Sequence, residues 1–292
     1  VKMESSHTAV YRQNNIWRWI ITACGLLMII ITLAIGAFLC YKGVGTFTTY
    51  GHSVGEFLFS SQWAPADNAQ GGGKVGAAIF IFGSIITCTL ALLISTPFSI
   101  ASAIFMTEIS PGIGRKILQP AVEIFVGIPS VVYGWIGLTI LVPFIKDLFD
   151  LKFGFSVLAA GIVLAVMIYP TITSLSADAI RSIPKSFRQA SYGLGATRWQ
   201  TISQVVIPAS KSGLMTAIVL GLARAFGEAL AVAMVIGKMK AFPESLLSPT
   251  TNLTAAIASD MGGAMEGSEY NIALWSMACL LYTSPSPRDT KT

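Results

Sequence analysis

The sequence predicts an all-α membrane protein with six intended transmembrane helices, the last of them truncated. Three observations carry that prediction. Of 292 residues, 53% are hydrophobic and 11% charged, and the mean hydropathy is +0.69, whereas a soluble domain carries about a quarter charged residues. Apolar runs recur at about 16–41, 75–105, 117–145, 155–175, 213–237 and 272–282. The basic residues alternate in placement around these runs and form no single patch. The formal net charge of +5 therefore bears on topology and does not point to nucleic acid.

Residues 1–15 read as a cytoplasmic N-terminal tail and 16–41 as the first span. That run is too long for the core of a signal peptide, and no A-x-A site follows it. Cys40 follows Phe38-Leu39 and not two small residues, which argues against lipoprotein cleavage. Cys24, Cys40 and Cys88 lie in predicted helices without a pairing pattern and read as small apolar packers, implying neither a disulfide nor a metal site. Residues 42–74 form a periplasmic segment rich in Gly and Ser, where Trp63 and Pro65 suggest an interfacial turn with an aromatic anchor. The "GGGK" at 71–74 has Asn68 where a phosphate loop needs its first Gly and Val75 where it needs Ser or Thr. ATP binding by that route is excluded.

Five of the runs are long enough to cross roughly 30 Å of hydrocarbon, which takes about 20 helical residues. A cytoplasmic N-terminus puts Lys2, Arg12, Arg18, Arg115, Lys116, Arg181, Lys185, Arg188, Arg198 and Lys211 inside. Lys42, Lys74, Lys146, Lys152, Lys238 and Lys240 then fall outside, diluted by carboxylates from Glu56 to Glu269. The positive-inside rule favours that orientation. It makes residues about 176–211 a cytoplasmic loop.

Within the loop, Pro184 suits the first turn of a helix and Gly195 is placed to end it in a left-handed conformation. Thr197, with Gln200 three residues on, opens a second helix by a capping box, and Pro208 closes it. Two short helices hinged at a glycine would expose Tyr192, Leu194 and Trp199, a contact surface for a cytoplasmic partner.

The stretch "QASYGLGATRWQTISQVVIP" resembles the EAA loop of ABC-transporter permeases, the helix that seats in the ATPase subunit. The matching positions are Gln189, Ala190, Ser191, Gly195, Val205, Ile207 and Pro208, with Gln in place of Glu and Ser in place of the second Ala. More widely, "GEFLFSSQW", "FMTEISPG", "AVEIFVGIPSVVYGWIGL", "AAGIVLAVMIYP" and "LGLARAFGEALAVAMVIG" look like the PstC-type permease subunits of bacterial phosphate ABC importers. The resemblance implies the fold of a type I ABC importer (MetI-like) transmembrane domain, with residues 75–278 as the permease core. It implies a subunit that moves inorganic phosphate across the bacterial inner membrane and is no enzyme itself, ATP and Mg being bound in a partner. The partners implied are a PstA-like permease subunit, a PstB-like ATPase dimer, a periplasmic phosphate-binding protein PstS and the lipid bilayer. His7 and His52 stand outside the apolar runs with no nucleophile arrangement nearby. The rival readings are a sulfate or molybdate ABC permease, an ion-coupled secondary carrier, for which no inverted repeat is visible, and a membrane enzyme, which would need a larger polar cluster.

Arg224 and Glu228 share the fifth run, four residues and about 40° apart on a continuous helix. Charges at that depth should face protein or water. Small residues every four positions from Gly213 through Ala217, Gly221 and Ala225 allow close helix packing beside them. Glu123 precedes Gly127-Ile128-Pro129, where proline must disturb the helix. The three charges fit two readings: an ion-pair network locking the helices, or a weak anion station on the translocation path. At neutral pH phosphate usually keeps a proton and sulfate does not, so a carboxylate would accept a hydrogen bond from the first and repel the second.

The sixth run covers only about 17 Å at roughly 1.5 Å per residue, too little to cross. Pro285 and Pro287 prevent its extension, and Arg288 and Asp289 would sit in lipid. Residues 279–289, CLLYTSPSPRD, are similar to the translation of a common tagmentation adapter. The genuine protein is therefore expected to end in this chain near Ala278, with 279–292 an adapter-derived artefact.

Overall fold

The computed structural model describes residues 4–68 and 70–283, with side chains from Trp17 onward. The apolar runs fold as helices because only a helix satisfies every backbone amide within its own segment. Helices long and apolar enough to cross a membrane are Trp17–Thr48, Ala78–Ile109, Ser130–Leu148 and Val157–Arg181, and a further pair, Arg198–Ala209 with Lys211–Gly227, is bent by 67°. The first run continues beyond its predicted end, to Thr48.

Val157–Arg181 is the hub. Ser156 caps its start by accepting the Ala159 N–H at 3.1 Å, satisfying one of the orphan donors of the first turn. The helix packs against Ala78–Ile104, Lys211–Gly227 and Gln119–Gly127. Its most apolar window is 67% buried, against 6% for Trp17–Thr48, which rests mainly on Glu269–Thr283. The predicted small-residue seam is the contact of Lys211–Gly227 with the hub: Ala217 and Ala225 are buried, and a Cβ at Gly221 would fall 2.5 Å from Ile172 Cγ1. Buried apolar side chains gather at three levels: around Leu164 and Ile168 in the middle, around Phe57, Phe80 and Leu274 at one end, and around Ile180, Ile202 and Val206 at the other.

Two predicted spans are each split. In the third run the helix Gln119–Gly127 gives way to extended Ile128 (ψ 128°), and a new helix starts at Ser130; proline lacks the N–H that would continue the ladder. In the fifth, Lys211–Gly227 ends at Glu228 (φ −79°, ψ 121°) and Leu230–Val235 follows. The freed groups find partners. Thr254 Oγ1 donates to the Glu228 carbonyl at 2.8 Å, and Glu228 Oε1 accepts the Ala231 N–H at 3.0 Å. Arg224 and Glu228 are thus not neighbours on one continuous helix, which corrects the prediction.

The outer segment folds back onto the bundle. Strands Trp63–Ala64 and Lys74–Val75 pair antiparallel, with Trp63 opposite Val75. This hairpin puts the Trp63 indole edge-on to Phe80, with ring centroids 4.8 Å apart, and 6.2 Å from Tyr270. Trp63, half-buried, packs against that small core. Behind it Glu269, 1% exposed, accepts backbone N–H groups from Ala66 at 2.7 Å, Gly73 at 2.9 Å and Gly72 at 3.3 Å, and lies 2.7 Å from His52 Nε2. Gly71 (φ +72°) and Gly72 (φ +100°) take left-handed backbone, and a Cβ on Gly73 would come 2.5 Å from Glu269 Oε2. The glycine run that is no phosphate loop does cradle an anion: the chain's own carboxylate. Burial pushes the Glu269 carboxyl up, but the Ala66 N–H, His52 and the Gly73 N–H outweigh it and hold the group below the usual carboxylate range.

The last described helix, Glu269–Thr283, has 15 residues and is not among the helices of membrane-crossing length. Its Cys279 brings Sγ to 2.9 Å from Cys40 Sγ, a contact between free thiols that no sequence pattern announces. Pro285, Pro287, Arg288 and Asp289 lie outside the described residues, as do the side chains of Lys2, His7 and Arg12.

Candidate functional site

Functional expectations attach to two places, the polar loop and the spans. In the loop, Pro184 stands immediately before the helix Lys185–Gly193. At the other end the Gly195 N–H bonds Tyr192 O at 3.0 Å and the Ala196 N–H bonds Ser191 O at 3.2 Å, the paired closure of a Schellman turn, with Gly195 at φ +83°. Thr197 Oγ1 then accepts the Gln200 N–H at 3.3 Å while Gln200 Oε1 accepts the Thr197 N–H at 2.8 Å, a reciprocal capping box. The glycine hinge between two helices is present as predicted. The second helix extends through a widened turn at Ile202–Val206 to Ala209, and the bend into Lys211–Gly227 falls just after Pro208.

Of the motif positions, Gln189, Ala190 and Pro208 are exposed, Val205 is half-buried, and Ile207 packs on the Ile202 and Val206 core. Ser191 is buried, and its hydroxyl lies 2.9 Å from Thr201 Oγ1. The departure from alanine is thereby explained: the hydroxyl ties the two loop helices together. Phe187, Tyr192, Leu194 and Trp199 are exposed, Leu194 to 90%, an apolar patch of the kind that marks a contact surface.

One pair escapes sequence reasoning. Arg188 grips Glu108, at the end of Ala78–Ile109, with Nη2 2.5 Å from Oε1 and Nε 3.2 Å from Oε2. Its remaining donors reach Ile183 O at 2.8 Å and Ile180 O at 3.1 Å. Arg198 adds a bond to Ile109 O at 2.7 Å and another to Glu108 O. The loop is thus fixed to the ends of two spans. The only advance signal is the lone carboxylate in "FMTEISPG".

Among the described residues no ion pair joins the three charges of the spans. Arg224 is half-buried, and its Nη1 donates to Thr171 Oγ1 on the hub helix at 2.6 Å. Glu228 sits at the helix break. Glu123 is exposed and accepts from Gln119 Nε2 at 3.0 Å, while Gln119 Oε1 accepts from Arg181 Nη2 at 3.1 Å. The predicted cluster is therefore dispersed: Glu123 belongs to a relay toward the loop, and Arg224 is left with a neutral partner.

The profile of a family described as binding-protein-dependent transport system inner membrane component matches residues 95–281. The chain belongs to that family. Like other inner membrane components it is a multi-pass membrane subunit. It is 54% identical over 264 residues to the probable ABC transporter permease protein YqgH of Bacillus subtilis, covering 90% of this chain and 84% of that one. With the phosphate transport system permease protein PstC of Haemophilus influenzae it shares 34% identity over 280 residues, 89% of this chain and 86% of the relative. Among solved structures it is similar to a bacterial alginate ABC transporter in complex with an alginate pentasaccharide-bound periplasmic protein, with a TM-score of 0.57, 17% identity and coverage of 90% and 91%. It is also similar to inward-facing MetNI methionine ABC transporter, with a TM-score of 0.52, 20% identity and coverage of 70% of this chain and 90% of that one. At such identities these likenesses show the fold alone, that of a type I ABC importer transmembrane domain.

Proposed function

We propose that this inner membrane component is the permease subunit of an ATP-driven importer of inorganic phosphate. The observation that carries the reading is Arg224, a guanidinium within the fifth apolar run whose one hydrogen bond among the described residues goes to a neutral hydroxyl. Such a charge is costly at that depth unless it serves a path or a partner, and its remaining donors suit the oxygens of a phosphate. Glu228, at the break four residues on, would accept a hydrogen bond from the proton that phosphate keeps and would repel sulfate, which has none. Glu123 would lie at the inner end of the path. The similarity to PstC relatives supports phosphate as the cargo.

On this reading the N-terminus is cytoplasmic, residues 42–74 are periplasmic, and 75–278 form the permease core. The patch of Tyr192, Leu194 and Trp199 seats in one copy of a PstB-like ATPase, which binds ATP and Mg. A PstA-like subunit completes the pathway, and a PstS-like binding protein delivers the anion. The test is phosphate uptake by the reconstituted complex. Arg224→Gln abolishes uptake while the ATPase still co-purifies, and Arg224→Lys keeps part of it. Unchanged uptake in Arg224→Gln would sink the path role. Uptake of sulfate in place of phosphate by the unmodified complex would move the assignment to the rival anion.

A further inference from the structure

At the end of the bundle that carries the polar loop there is a second basic feature, separate from the loop's apolar patch. A cavity of about 520 Å³ is lined by Thr107, Arg115, Lys116 and Arg181 together with Met106, Pro111 and Gly112. Three cations line it and no carboxylate does. The nearby carboxylates are engaged elsewhere or reach it weakly: Glu108 is gripped by Arg188, Glu123 by Gln119, and Asp178 reaches Arg181 only at 3.5 Å and is itself 67% exposed. The side chains of Arg115 and Lys116 make no hydrogen bond or ion pair with the described residues. Like charges gathered without a counter-charge repel one another, so this cluster is stable where an anion joins it.

The surroundings indicate which anion. Arg115 and Lys116 lie on the helical stretch from Pro111 that leads into Gln119–Gly127. Ile113 and Ile117 on the same stretch are exposed to 51% and 63%. Basic side chains interleaved with exposed apolar ones suit the boundary between headgroups and acyl chains, whereas a free ion in water gains nothing from the isoleucines.

We propose that this cavity is a binding site for the headgroup phosphate of an anionic phospholipid, with Arg115, Lys116 and Arg181 on the phosphate oxygens and Ile113 and Ile117 against the acyl chains. The inference rests on the chain spanning a membrane and is independent of which anion is transported. The experiment uses the full chain in nanodiscs of mixed phosphatidylglycerol and phosphatidylcholine, with the retained lipids counted by native mass spectrometry. The unmodified protein retains phosphatidylglycerol in excess of its share of the bilayer. Arg115→Gln and Lys116→Gln, at positions with no protein partner to lose, each lower that excess about fivefold, and the charge-preserving exchange Arg115→Lys with Lys116→Arg keeps it. An excess that survives in the Arg115→Gln/Lys116→Gln double variant, or that vanishes in the charge-preserving exchange, overturns the proposal. So does stripping of phosphatidylglycerol from the unmodified protein by added inorganic phosphate, which would make the free ion the ligand. Because that last measurement needs no variant, the proposal stays testable even if a neutralised chain inserts poorly.

Discussion

Arg188 ties the loop to two pieces of chain, the Glu108 carboxylate and the Ile180 and Ile183 carbonyls at the end of the hub helix. Removing one member leaves the other charged and poorly solvated, so Arg188→Ala should cost on the order of 3 kcal/mol. The exchange of both for apolar residues, Arg188→Met with Glu108→Leu, should recover much of that. A double-mutant cycle on thermal stability reads the coupling, and strict additivity would show the clamp to be idle. Glu269 gives a second residue-scale prediction, through pH. Its folded carboxyl lies below the ordinary value, so its contribution to stability is present above the ordinary carboxylate pKa of about 4.3. That contribution disappears as pH falls through the depressed folded value. The protection of the Gly72 and Gly73 amides against exchange, relative to their intrinsic rates, should fall in acid, and Glu269→Gln should show the lower protection already at neutral pH. Equal protection in the two proteins at neutral pH would contradict this account.

At the scale of elements, the Schellman turn at Gly195 sets the angle between the two loop helices. No atom crowds a Cβ at this position, so the strain of a substitution comes from φ alone, roughly 1–2 kcal/mol for an L-residue. Gly195→Val should insert normally yet weaken retention of the ATPase several-fold, while Gly193→Ala, inside the helix, should not; a pull-down of the assembled complex distinguishes them. The hinge was legible because its signals are local: Gly195, Thr197 and Gln200 lie within six residues. The break at Pro129 was legible for the same reason. The break at Glu228 was not, because "GEALAV" contains good helix formers and no proline, and the hydroxyl that satisfies the open carbonyl comes from Thr254. Nor was the grip of Arg188 on Glu108, since eighty positions separate them. The carboxylate cradle was not legible for a related reason: the glycines fail as a phosphate motif, and their actual guest lies almost two hundred residues downstream. The helix Trp17–Thr48 raises its own question, since Gly43 meets the Ser276 backbone so closely that a Cβ would stand 3.0 Å from its Cα. Gly43→Leu should lever the two helices apart at a cost of about 1–3 kcal/mol, lowering the melting temperature; an unchanged one would mean that this contact is loose.

At the scale of the whole molecule, the basic residues and the loop predict one sidedness. In right-side-out vesicles a cysteine introduced at Ser186 should be shielded from a membrane-impermeant thiol reagent, and one introduced at Gln70 should react; the opposite pattern would invert the topology. The large exposed apolar surface of Trp17–Thr48 is what a subunit shows when lipid and companion subunits complete its packing. The Glu269 cradle bears on the order in which the molecule is made. Its donors at Ala66, Gly72 and Gly73 leave the ribosome some two hundred residues before their acceptor, and a loop of that length closes at a cost that rises only slowly with its span. During synthesis the outer hairpin therefore waits with these amides bonded to water, and the arrival of a single carboxylate replaces that water and closes the outer end. Completion of that end reports that translation has passed Glu269, and a chain halted before it would carry an open, protease-accessible hairpin.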